Sequence, residues 1–383
     1  MSEKLTTTVL VTGAKGFLGK NLCVMLRRRE GLELYEYDLG VSPAILERAL
    51  QSASVIFHLA GVNRPVDQSE FQKHNAGFTE ELCARLLALH RAPKVVFASS
   101  VQAELDNPYG ASKREAEAIL ERFAVASGAE CVVYRLKNLF GKWCRPNYNS
   151  VTATFCHNIA RDLPIEISDP SREIDLTYVD DVVAAFLSDL APGPSGFRQS
   201  APLRSYRVTL GALANQIREF RAMRTTLFLP SFADPFTRPL YATYLTYLED
   251  TEFAYDLDVK VDDRGRLAEF IKSATSGQLF ISRTRPGVTR GNHYHNTKTE
   301  KFLVVHGEAI IRFRHIRSSN VIEYRVCGED YRVLDIPPGY THSIENVGQD
   351  ELVTLFWAAE SFDPDHPDTF FEEVQVKAER SNQ

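Results

Sequence analysis

The sequence predicts two domains of different class, an α/β domain built on a doubly wound parallel sheet and then an all-β barrel. Three observations carry this reading. The chain has 383 residues, too many for one comfortable core and enough for roughly two domains of about 150 residues each. Its hydrophobic pattern changes character once, between about residues 190 and 255. Each side of that change carries its own cluster of chemically capable residues, glycine-rich near the start and histidine-rich near residue 293.

The first half alternates short apolar runs with helical stretches. TTTVLVTGA reads as a strand and FLGKNLCVMLRRRE as a helix. LELYEYD, ASVIFHLAG, PKVVFASS and ECVVYRL continue the strand series, with amphipathic segments between them. Buried strands separated by helices make a parallel sheet with helices on both faces, joined by right-handed crossovers. In the second half QLFISRT, KFLVVHG, AIIRFRHI, VIEYRV, YRVLDIP and LVTLFWAA follow one another with turn residues between them. That is the pattern of a barrel or sandwich. The expected division is 1–250, 251–375 and a flexible tail at 376–383. Pro230, Pro235 and Pro239 break up the join, where the aromatic run PLYATYLTYL is expected to pack one domain on the other.

Composition excludes several classes. The chain is 44% hydrophobic and 25% charged, with a net charge of −6. This is the mix of a globular protein, not of a disordered or collagenous one. The acidic balance argues against a nucleic-acid partner. The 6 cysteines are scattered without CxxC spacing and read as free thiols of a reducing compartment. Met1 to Thr8 is short and polar, unlike a signal peptide, and no run reaches the ~20 apolar residues of a membrane span. A cytoplasmic protein without membrane contact is expected.

The first motif is VLVTGAKGFLG, which sets Gly13, Gly16 and Gly19 between a strand and a helix, with Lys15, Phe17 and Leu18 in the same turn. The turn must be tight, the backbone must approach a diphosphate, and the helix must pack close to the strand. Amide groups at the helix start then favour the anion. Asp38 ends the second strand, where a carboxylate bonds a ribose 2′-hydroxyl, whereas Lys15 suits a 2′-phosphate. The two point opposite ways on NAD against NADP, and Asp38 could equally turn outward.

Downstream, NPYGASKREAE places Tyr109 and Lys113 four apart, on one face of a helix. A tyrosine hydroxyl has an ordinary pKa near 10. A neighbouring ammonium is expected to lower it, so that Tyr109 can give a proton to a carbonyl oxygen that Ser100, or Ser99, holds in line.

The GxxGxxG spacing and YxxxK resemble the short-chain dehydrogenase/reductase superfamily, in its extended sugar-nucleotide branch. The resemblance implies a Rossmann-like fold, with Leu59, Ala60 and Gly61 of HLAGVN at the nicotinamide-ribose turn. It also brings Asn75 to the cofactor and Lys113 to the ribose.

The second motif runs GVTRGNHYHNTKTEKFLVVHG, followed by PPGYTHSIEN. His293 and His295 at i and i+2 point the same way from a strand, Glu300 follows a short turn, and His342 can arrive from a neighbouring strand. Three imidazoles and a carboxylate suit Zn, Fe, Mn or Ni, and zinc is the expected ion. Spacing does not choose a proton acceptor among Tyr294, Lys298, Lys301 and His306. This pattern resembles the cupin superfamily, a jelly-roll barrel with a metal inside. Gly328 lies further before Pro337 than the usual cupin pattern has it.

The pairing of the two resembles the CapF/WbjC type of capsular and O-antigen enzyme over nearly the whole chain, including HLAGVNRP, DNPYGASK, NLFGKWCRPNYNSVTATFC, YVDDVV and VDDRG. The resemblance implies a homodimeric, bifunctional enzyme acting on a UDP-ketosugar. The cupin would epimerise C3 of a UDP-2-acetamido-2,6-dideoxy-4-hexulose. The first domain would then reduce C4 with NADPH to UDP-2-acetamido-2,6-dideoxy-L-talose, on the way to UDP-N-acetyl-L-fucosamine. By position, Asn138, Arg145, Asn147, Asn149 and Ser150 become substrate contacts, with plain loop structure as the alternative.

Two other readings remain open at this point. The cupin could be a sugar-binding or dimerising module without catalysis. The first domain could instead be a 4-epimerase or 4,6-dehydratase. Dehydratases carry an Asp-Glu pair after the catalytic Ser/Thr, and Val101-Gln102-Ala103-Glu104 lacks it.

Overall fold

The computed structural model describes residues 7–65 and 67–375. The proposed tail at 376–383 lies outside the described residues. The first sheet is parallel throughout. Its strands are β1 (Thr7–Thr12), β2 (Leu32–Tyr37), β3 (Val55–His58), β4 (Lys94–Ser100) and β5 (Glu130–Leu136), with β8 (Gly196–Gln199) at the edge. Between β5 and β8 the chain makes β6 (Asn138–Phe140) and β7 (Glu173–Tyr178), which with β9 (Tyr206–Thr209) form a small separate sheet. The helices are α1 (Phe17–Leu26), α2 (Pro43–Ser52), α3 (Ser69–Phe71), α4 (Phe78–Ala88), α5 (Pro108–Ser127), α6 (Val151–Ala160), α7 (Val179–Ser188), α8 (Leu210–Thr226) and α9 (Thr237–Leu245).

The main sheet is buried on both sides, which explains its continuous apolar runs. The period-2 alternation splits each strand between two cores. Leu10, Ile56, Phe97 and Val133 join Leu50, Leu86, Leu120 and Phe123 from α2, α4 and α5. Val9, Val11, Phe57, Val96 and Val132 join Leu18, Leu22, Val183 and Phe186 from α1 and α7. The strand order is β2-β1-β3-β4-β5-β8. The order therefore reverses at β1, and ligands of such sheets bind beyond the strand ends at that point.

The later strands are β10 (Val259–Asp262), β11 (Gly265–Ser273), β12 (Gly277–Thr284), β13 (Thr289–Tyr294), β14 (Glu300–His306) and β15 (Glu308–His315). They continue with β16 (Val321–Cys327), β17 (Val333–Ile336), β18 (Tyr340–Asn346), β19 (Leu352–Ala358) and β20 (Phe370–Phe371). They make two antiparallel sheets, β10-β11-β12-β19-β14-β17 and β16-β15-β18-β13-β20. Phe302, Phe313, Ile311, Ile344, Leu334 and Phe356 form one core drawn from both. The sequence reading of an α/β domain followed by an all-β barrel is thus met.

The chain divides into two compact units that are interleaved in sequence. One holds the residues up to Arg218 together with Arg238–Leu248, and the other Glu219–Thr237 and everything from Glu249 on. The aromatic run lies in α9 and just after it, where Tyr244 is fully buried and Tyr247 donates to the Cys144 carbonyl at 2.7 Å. All 6 cysteines are free, as expected. No helix among the described residues is long and apolar enough to cross a membrane.

Candidate active sites

The glycine turn follows β1 and opens α1. Gly13 has φ +70°, and a Cβ there would stand 2.7 Å from the Ala60 amide nitrogen. A Cβ on Gly19 would stand 2.1 Å from the Gly13 carbonyl oxygen. Each glycine answers a close backbone approach. Gly16 caps α1 without any side-chain hydrogen bond, and the first turn holds no acidic residue. That leaves the helix start suited to an anion. Asp38 is turned towards this loop rather than away from it. Its carboxylate accepts from the Lys15 amide at 2.6 Å and the Leu39 amide at 2.7 Å. The Lys15 side chain is exposed.

Leu59, Ala60 and Gly61 follow β3 beside the turn, and the Leu59 amide donates to the Thr12 carbonyl at 3.1 Å. His58, fully buried, links Thr12 Oγ1 at 2.8 Å to Thr79 Oγ1 at 2.9 Å. Burial, with Lys113 nearby, depresses its pKa to about 3, so this histidine is a neutral core link. Asn75 sits in a π-helical turn, Gln72–Gly77, a local widening often found at functional sites. Its Oδ1 accepts from the Val62 amide at 2.8 Å, and its Nδ2 donates to Ser112 Oγ at 2.9 Å. A Cβ on Gly61 would lie 2.8 Å from Asn75 Oδ1 and 3.3 Å from Lys113 Nζ. The turn after β3 and helix α5 thus meet at this glycine.

Helix α5 is capped by Asn107, whose side chain accepts from the Gly110 amide at 2.8 Å, and begins at Pro108. This cap fixes where Tyr109 emerges. Lys113 is fully buried and donates to the Ala98 carbonyl at 3.0 Å. Burial lowers its pKa to about 8, opposed by Glu117. Tyr109 departs from the sequence expectation: its pKa is raised, not lowered. Burial dominates, and only a hydrogen bond with Ser100 pulls the other way. Lys113 Nζ is engaged by Ala98 and lies 6.0 Å from the Tyr109 ring centroid. Ser100 neighbours Tyr109, whereas Ser99 donates to Glu117.

Glu117 went unassigned in the sequence, although YxxxKxxxE puts it on the same helix face. It is buried, accepts from Ser99, and takes both Nε (3.1 Å) and Nη2 (2.7 Å) of Arg135.

The segment between β6 and α6 holds four of the five proposed substrate residues, and β6 begins at the fifth, Asn138. Asn138 Nδ2 donates to the Asp175 carbonyl at 3.3 Å. Asn147 has φ +53° and donates its amide to Thr154 Oγ1 at 3.0 Å. Ser150 caps α6, accepting from the Ala153 amide at 3.3 Å. Arg145 lies 5.1 Å from the Tyr148 ring centroid. Arg145 and Asn149 are exposed.

In the second unit β13 and β18 pair so that His293 faces His342. Glu300 starts β14, and His295 follows the end of β13. The ligand atoms of His293, His295, Glu300 and His342 all lie within 4.8 Å of one another. Glu300 Oε2 is 3.4 Å from His295 Nε2 and 3.5 Å from His342 Nε2. Both Nε2 atoms are buried without a hydrogen-bond partner. Two orphaned imidazole nitrogens converging on a carboxylate fit a divalent cation. Burial favours a neutral Glu300, but the attraction of the His295 and His342 imidazoles 3.4 and 3.5 Å away overcomes it and holds its pKa at about 2. Burial lowers His293 to about 4.

The four candidate proton acceptors are engaged with other groups or exposed. Tyr294 stacks on Phe370 at 5.3 Å, Lys298 donates to the Pro367 carbonyl at 2.6 Å, Lys301 pairs with Asp335, and His306 is exposed. Phe313, the register partner of His342, and Tyr340, two residues before it, line a cavity of about 390 Å³.

Residues 9–195 match the NAD dependent epimerase/dehydratase family, and residues 260–370 the polysaccharide biosynthesis C-terminal domain. A UDP-2-acetamido-2,6-beta-L-arabino-hexul-4-ose reductase of Pseudomonas aeruginosa is 44% identical over 94% of this chain and 97% of its own. The crystal structure of the capsular polysaccharide assembling protein CapF from Staphylococcus aureus superposes with a TM-score of 0.89 at 44% identity, covering 96% of this chain and all of that one. The chain belongs to the CapF family. A Thermotoga maritima UDP-glucose 4-epimerase, at 20% identity and a TM-score of 0.53 over 63% of this chain, shares the fold of the first unit. The CapF family is thus an extended short-chain reductase fold joined to a cupin-type all-β domain, and its reductase fold implies an NAD(P) cofactor.

Proposed function

We propose that this chain reduces the C4 ketone of a UDP-2-acetamido-2,6-dideoxy-hexulose after its barrel has epimerised C3, yielding UDP-2-acetamido-2,6-dideoxy-L-talose. The observation that carries the reading is the meeting of Ser100, Tyr109 and Lys113 with the glycine turn through Gly61 and Asn75. The Pseudomonas relative, a 4-ketosugar reductase by name, supports the substrate class. We assign reduction to residues 1–250 and epimerisation to 251–375.

The turn at Gly13, Gly16 and Gly19 holds the cofactor diphosphate, Asp38 and Lys15 flank the adenosine ribose, and Leu59–Gly61, Asn75 and Lys113 line the nicotinamide end. NADPH, when bound, supplies the hydride. Ser100 Oγ holds the C4 oxygen. Tyr109 gives that oxygen its proton, and the raised pKa suits the task, because a phenol must be protonated to act as the acid. Lys113 supplies positive charge as the phenolate forms. Asn138, Arg145, Asn147 and Asn149 are the exposed candidates of the 138–150 segment for contact with the sugar nucleotide, beside Ser150 at the start of α6.

In the barrel, His293, His295, Glu300 and His342 would hold a divalent ion, zinc in our reading. Such an ion supplies Lewis-acid polarisation of a ketone. We take the cavity walled by Phe313 and Tyr340 as the surface for the sugar ring. An epimerised ketone can revert, and reduction at C4 traps it.

NMR of the product formed from the UDP-ketosugar and NADPH, with and without chelator, tests both steps. We expect the talo product, with deuterium from solvent at C3. A product with unchanged C3 configuration removes the epimerase and leaves the barrel as a binding module.

A further inference from the structure

We infer that Asp368, 73 residues beyond His295 in the chain, is a positioning residue of the metal centre. It sets which nitrogen His295 presents and clamps the loop that carries this ligand. The inference rests on the reading that His293, His295, Glu300 and His342 hold a divalent ion.

The Asp368 carbonyl oxygen lies 2.6 Å from His295 Nδ1. A carbonyl only accepts, so Nδ1 carries the hydrogen and Nε2 keeps its lone pair. That Nε2 is the orphaned, buried atom 3.4 Å from Glu300 Oε2. Among the described residues His342 has no comparable anchor, for its Nδ1 lies 3.4 Å from the Tyr340 carbonyl.

The side chain of the same residue does a second job. Its carboxylate accepts from the amides of Asn296 (3.0 Å), Thr297 (2.9 Å) and Lys298 (2.8 Å), and from Thr297 Oγ1 (3.0 Å). These are the three residues that follow His295. Hydrogen bonds to an ionised acceptor are short and strong. Lys298 adds a bond from Nζ to the Pro367 carbonyl at 2.6 Å.

Asp368 has φ +39°, a left-handed conformation that aspartate and asparagine tolerate better than most residues. This turn aims carbonyl and carboxylate at the same loop. Beyond it β20 pairs with β13, Phe371 against His293 and Phe370 against Tyr294, and the Glu372 amide donates to the Asn292 carbonyl at 2.9 Å. The segment from Pro367 to Glu372 therefore braces the strand of His293 and the loop of His295 together. Partners of this kind orient a ligand imidazole, and losing one typically weakens metal binding by about 10- to 100-fold.

The test is zinc affinity of the full chain, read by competition with a chromophoric chelator. Asp368→Gly keeps the backbone conformation and the carbonyl but removes the carboxylate. We expect it to bind zinc about 10- to 100-fold more weakly than wild type. Asp368→Asn retains an acceptor and should recover part of that loss. A 15N–1H spectrum of zinc-loaded wild type should place the His295 hydrogen on Nδ1. The barrel's own calorimetric transition, measured without zinc, reports that each variant is folded. If Asp368→Gly does not fold, Asp368→Asn decides, with a several-fold loss expected. Wild-type affinity in the folded variants, or a hydrogen on Nε2, overturns the inference and leaves the metal reading intact. A wild-type chain that takes up no zinc overturns both.

Discussion

The two candidate sites differ in how far each is finished without a ligand. In the α/β unit the polar groups of the candidate site already bond to protein: Asn75 to Val62 and Ser112, Lys113 to Ala98, and, at the glycine turn, Asp38 to Lys15 and Leu39. In the barrel two buried imidazole nitrogens converge on Glu300 with nothing to bond. Unpaired buried polar atoms weaken a fold, whereas satisfied ones do not. The first site is a preorganised scaffold that gains function on binding. On the metal reading, the second would gain function and stability together.

That contrast fixes what each substitution should do. The largest effect is expected at Tyr109. Removing its hydroxyl in Tyr109→Phe takes away the proton donor and should slow C4 reduction by at least ~10²-fold. Deuterium exchange at C3 should continue, and the melting profile should hold. Reduction at the wild-type rate would sink the proton-donor role.

The barrel should respond in stability as well. Zinc at a hundred times its dissociation constant stabilises a folded domain by about 2.7 kcal/mol. Calorimetry of wild type with and without chelator should show one transition moving by that order and another standing still. Glu300→Gln should erase the zinc-dependent shift and the C3 exchange together. A shift that survives Glu300→Gln would mean that the ion, if bound, sits elsewhere.

The same contrast explains what could be read from the sequence. The glycine turn was legible because each glycine answers a contact made within the turn or with the next strand. The Tyr109–Lys113 pair was legible because a helix brings residues four apart onto one face. The titration of Tyr109 was not, since burial by the surrounding elements outweighs the neighbour that spacing reveals. Glu117 lies at legible spacing, but its work depends on Ser99 and Arg135 from two strands. The cluster of His293, His295, Glu300 and His342 could be read from HxH and its followers. Asp368 could not, because its bond to His295 spans 73 residues. Among strands, apolar runs such as Val9–Val11 declared themselves. β11 did not: GRLAEFIKS mixes charges into the run, and its register slips at Glu269/Ile271.

Two smaller effects sharpen the comparison within the α/β unit. A Cβ at position 19 meets backbone at 2.1 Å, while one at position 16 meets it at 3.1 Å. Gly19→Ala must move the turn, and overpacking of this kind costs about 1–3 kcal/mol. It should weaken NADPH binding by roughly tenfold, equivalent to about 1.4 kcal/mol. Gly16→Ala should weaken it less. Equal losses, measured by fluorescence titration, would show that the close approach at Gly19 does not govern the turn.

The smallest effect concerns Glu117 and is best seen in pH. Lys113, at about 8, is charged below that pH and neutral above it. Tyr109, raised by burial, stays protonated across this range. If reduction needs the ammonium, kcat/KM for NADPH, which reports the free enzyme, should fall as pH rises through about 8. Burial lowers the Lys113 pKa and Glu117 opposes that. Glu117→Gln removes the opposing charge and keeps an amide oxygen that can accept from Ser99 and Arg135 Nε, at the loss of the Arg135 Nη2 bond. The Lys113 pKa then drops further, and the falling limb should move to lower pH, with only a few-fold change on the acid side. A limb that stays in place would show that Glu117 merely ties strands to the helix and leaves the ammonium alone.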